Sequence, residues 1–348
     1  MNYRKQLIIA LVILIFLIGA FFSAYVYFAV FGENTSFEKA SVSIYIPSSN
    51  KEERLSKTLF PYLKNPDSFL KLAKQKGYLS NIRGGKYEIV KGMSNNDIIT
   101  VLRSKPSTVK VSFNNQETLA DLAARVSIEI EADSTSLMNS FLDISFLRLN
   151  KFNTDNALVM YLPNTYDFFW NTSAEGFRDR MLEEYHKFWN SDRIKRAQIQ
   201  GLTQIEVINL AAIVHKESVK ADERPKVAAV YLNRINIGMR LQADPTVIYS
   251  IKKTSGNFDQ QIRRVLYKDL KVNSPYNTYI NKGIPPGPIF MPDISAIEAV
   301  LYPEKHSYLY FVADSKNFGY HIFSKSLKEH NKNKSQYVNW LNKKKVRR

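Results

Sequence analysis

The sequence predicts an α+β protein with a single N-terminal transmembrane helix, a small mixed α/β module and a larger mixed α+β domain. Three observations predict it. Leu7 to Phe31 runs 25 residues without a charge. Residues 40 to 106 alternate short period-2 and helical patterns, and the chain beyond 107 is mostly helical in spacing with a few strand-like runs. The 348 residues are 45% apolar, which excludes disorder as the main state. Lys plus Arg number 49 against 32 Asp plus Glu, and the net charge of +17 favours an anionic partner. The absence of cysteine excludes disulfides, thiolate metal sites and cysteine nucleophiles.

The elements follow in chain order. At about 1.5 Å per residue, a helix over 7–31 spans the roughly 30 Å hydrocarbon core of a membrane. Its bulky end at Tyr25, Tyr27, Phe28 and Phe31 argues against a cleaved signal. Arg4 and Lys5 precede the span while Glu33, Glu38 and Lys39 follow it, so residues 1–6 are expected in the cytoplasm and the rest outside. That placement argues against nucleic acid as the partner and leaves lipid headgroups or a wall polymer. Ser41 to Ile46 alternates as a strand, Leu55 to Leu72 has helical spacing, Gly84 to Val90 is a turn into a strand, and Ser94 caps a helix to Leu102. Val109 to Phe113 reads as a strand; Thr118 to Val126 and Ser134 to Leu149 read as helices. Leu162 to Trp170 is too aromatic and interrupted for a helix and reads as a loop or strand edge. Phe177 to Trp189 and Ile205 to Val219 are helical in spacing. Residues 107–200 thus form an intermediate part, 201–330 a core, and 331–348 a basic tail; Lys325 to Arg348 carries nine Lys/Arg against one Glu.

No His-Glu-x-x-His, phosphate loop, dinucleotide fingerprint or Gly-x-Ser-x-Gly elbow occurs. The chemistry concentrates instead after Thr203-Gln204-Ile205-Glu206, a capping box that opens a helix apolar on nearly every side. Glu217 shares the face of Leu210, Ile213 and Val214 near the helix end. Desolvation and the negative end of the helix dipole both raise the pKa of a carboxyl there, making it a usable general acid. The plainer alternative is a glutamate held by Lys216, Lys220 or Arg224 at a solvated helix end. Asp222-Glu223-Arg224-Pro225 then starts a second helix, with proline in its first turn.

The segments Ile213-Val214-His215-Lys216-Glu217-Ser218, Leu232-Asn233-Arg234, Gly238-Met239-Arg240-Leu241-Gln242 and Asp244-Pro245-Thr246 carry a resemblance. So do Ser274-Pro275-Tyr276-Asn277-Thr278-Tyr279, Gly283 to Ile289 and Tyr308 to Asp314. Over about residues 200–330 the chain resembles the MltG (YceG-like) family of membrane-bound endolytic murein transglycosylases. Gly85-x-Tyr87 and Gly92-Met93-Ser94 extend the likeness into 40–106 as that family's LysM-like segment.

The resemblance implies that Glu217 is the catalytic acid of a lyase. Such an enzyme cuts between N-acetylmuramic acid and N-acetylglucosamine, using the muramic acid's own 6-hydroxyl and leaving a 1,6-anhydro end. A tethered nucleophile removes the need for a second carboxylate, and no metal or cofactor is implied. Many members carry an acidic residue where this chain has His215, which could tune Glu217 only if the two approached. Asp244 before Pro245 has the pattern of a helix N-cap, with a second catalytic carboxylate or a sugar contact as alternatives. Tyr276, Asn277 and Thr278 suit a sugar-reading set as well as they suit the fold. Gln242 and Arg240 could reach substrate hydroxyls or carboxylates, or serve as solvated and core-capping groups. Gly283 to Pro288 suits a cleft wall or an ordinary tight connection, and Ser218 supports Glu217 rather than acting as a nucleophile. The implied partners are peptidoglycan glycan strands, the inner membrane, and penicillin-binding proteins or other wall synthases. Two other readings are a non-catalytic wall-binding scaffold and a hydrolytic muramidase.

Overall fold

The computed structural model describes residues 3–49 and 51–343. The start of the expected cytoplasmic segment, residues 1–2, and the last five residues of the basic tail lie outside them. Helix α1 (Tyr3–Phe31) is apolar from Leu7 onward and has no buried residue, and only its C-terminal end, at Val30, packs against the core of the first unit. By length and composition it is long enough to cross a membrane.

The chain divides into two compact units. The first takes in residues up to Val111 together with 129–132 and 167–173. Strands β1 (Ser41–Ile46) and β2 (Gly85–Val90) pair antiparallel from Ser41 opposite Val90 to Ile46 opposite Gly85. Between them stand α2 (Lys51–Leu59) and α3 (Pro66–Gln75), and α4 (Asn95–Arg103) follows. Alternation puts Ile44, Ile46, Tyr87 and Ile89 on one face, where they meet Leu55, Leu59, Phe69, Ile98 and Leu102 in the core. Ser94 and Asp97 form a capping box at the start of α4. Asn95 donates to the carbonyl of Ala29 at 2.8 Å and accepts from Asn34 at 2.6 Å, tying the end of α1 to this unit.

Strands β3 (Thr108–Phe113) and β4 (Asn164–Phe169) form a two-stranded sheet. The second unit holds α5 (Leu119–Ser127), α6 (Ser134–Phe141), α7 (Ile144–Leu149), α8 (Ala174–Phe188), α9 (Ser191–Ile199), α10 (Gln204–Glu217), α11 (Arg224–Asn236), α12 (Asp244–Ser255) and α13 (Ile294–Leu301). β5 (Tyr310–Ala313) and β6 (His321–Ser324) pair antiparallel, and α14 (Leu327–Lys343) packs on them. The helix expected over Ser134 to Leu149 is two helices. Asp143 breaks it by accepting from the amides of Ser145 and Phe146, at 2.9 and 3.2 Å, as the cap of α7. The stretch around 162–170 is a strand, as its aromatic, interrupted pattern allowed.

Helix α10 is the axis of the second unit. Residues Val207 to Val214 are all buried, and α11, α12 and α13 pack around them. A helix apolar on nearly every side needs such a surround, and this one leaves its first and last turns near the surface, Glu217 in the last.

Candidate active site

Glu217 closes α10. Ser218 leaves the helix in an extended conformation (φ −128°, ψ 122°), two residues before the end that spacing suggests. The glutamate is partly exposed although protein atoms crowd round it. Its Oε1 accepts a hydrogen bond from the Tyr231 hydroxyl at 2.8 Å. Burial is the strongest influence on the carboxyl and pushes its pKa up to about 7. The Tyr231 hydrogen bond and the charges of His321 and Arg234 oppose that rise, while the Asp244 carboxylate adds to it.

The three basic residues nearest in sequence are engaged elsewhere. Lys216 sits 3.6 Å from the centre of the Phe290 ring, and Lys220 lies 5.2 Å from that of Tyr320. Arg224 is buried and donates to the Ser218 carbonyl, Asp293 and Ser295. His215 accepts the Asp293 amide on Nδ1 at 3.0 Å and packs against Phe290, so its partners are not Glu217.

Tyr231 stands on α11 with 1% of its surface exposed, and burial beside Glu217 holds its hydroxyl well above the usual phenol range. It therefore meets the carboxyl as a proton donor. Arg234, one turn on, has its guanidinium 5.4 Å from the Tyr310 ring centre and donates to the carbonyls of Leu309 and Leu241. The Leu241 bond pins the turn between α11 and α12.

That turn carries three of the sequence-derived candidates. Arg240, Gln242 and Asp244 are exposed, and Gln242 takes a left-handed φ of 49°, uncommon for a residue with a side chain. The Gln242 amide donates to the Thr278 carbonyl at 3.2 Å and the Ala243 amide to Thr278 Oγ1 at 3.0 Å. Asp244 is the first residue of α12 and Ala243 holds the cap position, so the carboxylate does not cap the helix. It accepts instead from the Tyr279 hydroxyl at 2.6 Å.

Tyr276, Asn277 and Thr278 are buried, with polar atoms bonded to protein. Tyr276 Oη lies 3.1 Å from Asp155 Oδ1 and 3.2 Å from Lys253 Nζ. Asn277 donates to the carbonyls of Leu270 and Val272 and accepts from the Tyr279 amide. Thr278 Oγ1 pairs with Thr246 Oγ1 at 2.8 Å. All three hold the loop that presents Tyr279 and the turn that presents Gln242. Ser218 is buried and donates to Glu223 Oε2 at 3.0 Å. Glu223 in turn binds the His321 amide at 2.7 Å and its Nδ1 at 2.8 Å, which locks the segment following Glu217 onto β6.

Sequence reasoning missed Tyr231, Tyr279 and His321. Tyr279 ends a segment whose three preceding residues were singled out, so its signal was adjacent. Tyr231 lies 14 residues beyond Glu217 across a helix break, and no periodicity links two helices through such a break.

A carboxyl that keeps its proton near neutrality beside an exposed polar turn is equipment of acid–base enzymes. The YceG-like family profile matches residues 44–336, and the chain belongs to that family. It is 32% identical over 326 residues to the endolytic murein transglycosylase of Bacillus subtilis strain 168, covering 88% of this chain and 87% of that one. It is 27% identical over 330 residues to the endolytic murein transglycosylase of Streptococcus pneumoniae D39, covering 86% of this chain and 59% of that one. The crystal structure of a yceG-like protein from Listeria monocytogenes superposes with a TM-score of 0.54 at 29% identity, over 85% of this chain and 99% of that one.

Proposed function

We propose that the protein is an endolytic murein transglycosylase that cuts the bond between N-acetylmuramic acid and N-acetylglucosamine within a glycan strand, with Glu217 as acid and then base. The observation that carries this reading is the Glu217 carboxyl, partly exposed and holding its proton up to about pH 7. The names of the relatives supply the substrate class.

Protonated Glu217 gives its proton to the glycosidic oxygen as that bond breaks. The resulting carboxylate, held on Oε1 by Tyr231, takes the proton of the muramic acid's 6-hydroxyl, whose oxygen closes on the anomeric carbon as a 1,6-anhydro ring. No water is consumed and the glutamate ends as it began. Tethering the nucleophile within the substrate meets much of the entropic cost. A hydrolase, by contrast, deploys two carboxylates about the bond. Gln242, Asp244 and Arg240 contact the sugars from the exposed turn. Tyr276, Asn277 and Thr278 act by holding that turn, and Ser218 by fixing the end of α10.

The apolar stretch of α1 from Leu7 to Phe31, which follows Arg4 and Lys5, anchors the chain in the cytoplasmic membrane with its N-terminus inside. The β1–β2 unit serves as the LysM-like module that holds glycan. So placed, the enzyme works on nascent strands and ends their elongation, alongside a penicillin-binding protein or other wall synthase. Glu217→Gln tests the assignment: cleavage of purified peptidoglycan is abolished while the circular dichroism spectrum is unchanged, and wild-type cleavage by that variant overturns it.

A further inference from the structure

A cavity of about 560 Å³ opens in the second unit along the C-terminal half of α12, and Glu217 is not among its walls. Its volume is that of a small-ligand site. Tyr249 and Phe258 form an aromatic wall, edge to face with centroids 5.6 Å apart and both partly exposed. Asn257 and Asp259 are exposed beside them.

The acidic groups around the cavity are only partly matched by cations, and Asp259 forms no ion pair among the described residues. Asp155 pairs with Lys253 at 2.6 Å and Glu117 with Lys252 at 2.8 Å, while Asp121 is occupied by the amide and hydroxyl of Thr118 at 2.9 and 2.8 Å. An anionic ligand is repelled by such a lining, and an ammonium group would be held by Asp121 and Asp259 alone. A neutral polyhydroxyl ligand can use the remaining carboxylate lone pairs and the Asn257 amide, and lay its C–H face on Tyr249 and Phe258. The wall also depends on a missing side chain. A Cβ at Gly287 would stand 1.9 Å from the Asp155 carbonyl oxygen and 2.9 Å from the Tyr276 hydroxyl, so only glycine allows these groups to close together.

Two physical links join this cavity to Glu217. Helix α12 begins at Asp244, whose charge acts on Glu217, and carries Lys253 nine residues later, about 13 Å along the axis at the helical rise. The loop 274–279 is bonded at Tyr276 to the Asp155–Lys253 pair and at Tyr279 to Asp244. An enzyme that cuts inside a polymer must hold it on both sides of the bond, and this cavity is lined by the same α12 whose first residue acts on the acid.

We propose that the Tyr249–Phe258 cavity is a second saccharide subsite that takes a neutral N-acetylhexosamine of the glycan strand. It rests on the reading of Glu217 as the acid of a glycan lyase.

The test titrates the full-length chain in detergent, carrying Glu217→Gln to stop turnover, with N-acetylglucosamine oligomers of increasing length and with Nα-acetyl-lysine amide, whose ε-ammonium is free, as ammonium probe. Affinity should rise with oligomer length. Phe258→Ala should lower it about tenfold, equivalent to roughly 1.4 kcal/mol, for the long oligomers only, with the dimer unaffected. Asp259→Asn should act in the same direction, and unchanged circular dichroism excludes misfolding. In the chain with native Glu217, Phe258→Ala should lower kcat/KM on long strands and spare short ones. Long-oligomer affinity untouched by both substitutions overturns the subsite, as does binding of the ammonium probe that Phe258→Ala weakens while oligomer binding is unchanged. If oligomers bind through Phe258 but the native chain cleaves no glycan, the acid assignment fails and the subsite stands.

Discussion

Glu217→Gln should change how stability depends on pH as well as activity. In the fold its carboxyl holds its proton up to about pH 7, against an ordinary value of 4.5. Below pH 4.5 both folded and unfolded chains carry the proton and the group contributes nothing. Between about 4.5 and 7 the unfolded chain releases the proton and the native chain keeps it, so stability falls as pH rises. Above 7 the native carboxylate is ionised in its crowded site at a cost of roughly 3 kcal/mol, taking about 1.4 kcal/mol per pH unit. The glutamine variant has no such titration. Urea unfolding at pH 4, 5.5, 7 and 8.5 should show the variant gaining up to about 3 kcal/mol on the parent across that interval, most of it by pH 7. Other titrating groups are common to both chains and drop out of the difference. Parallel profiles would mean that Glu217 titrates as an ordinary solvated carboxyl, and the reasoning from burial would be refuted.

Tyr231→Phe removes the hydrogen bond that favours the carboxylate, so the alkaline limb of the rate–pH profile should move to higher pH at a stability cost of about 1 kcal/mol. Asp244→Asn removes a negative charge that raises the Glu217 pKa, so the same limb should move to lower pH. A shift in the same direction for both variants would contradict the electrostatics assigned to the site. Gly287→Ala should destabilise by about 3 kcal/mol, the upper range for overpacking, since its Cβ meets a backbone oxygen at 1.9 Å. An unchanged urea midpoint would show that the Asp155 segment yields.

The features legible in the sequence are those that local rules govern. The capping box at Thr203 and Glu206 is present as read, because its bonds span three residues. The apolar run behind it correctly marked a helix buried on most sides, and placing Glu217 on the face of Val214 and Ile213 identified the carboxyl that burial perturbs. Proline in the first turn of α11 likewise follows from local backbone chemistry. Errors arise where a distant group decides. Asp244 has the pattern of a cap, but Tyr279, 35 residues on, takes its carboxylate, and the cap position falls to Ala243. Asp143 lies mid-run in a helical pattern, yet its side chain finds two free amides and starts a new helix. Glu217's partner could not be read at all, since Tyr231 reaches it only after the chain reverses between α10 and α11. Amide and hydroxyl side chains at 277 and 278 offered the same donors to a sugar or to the backbone, and burial alone distinguishes the two.

The most direct measurement is the mass of the fragments released from purified glycan strands. A single acid acting with the substrate's own 6-hydroxyl predicts new muramic acid ends in the 1,6-anhydro form, lighter by one water than reducing ends and resistant to borohydride. New reducing ends, reduced by borohydride and carrying ¹⁸O when cleavage is run in labelled water, would contradict the lyase mechanism and require a second carboxylate to activate water.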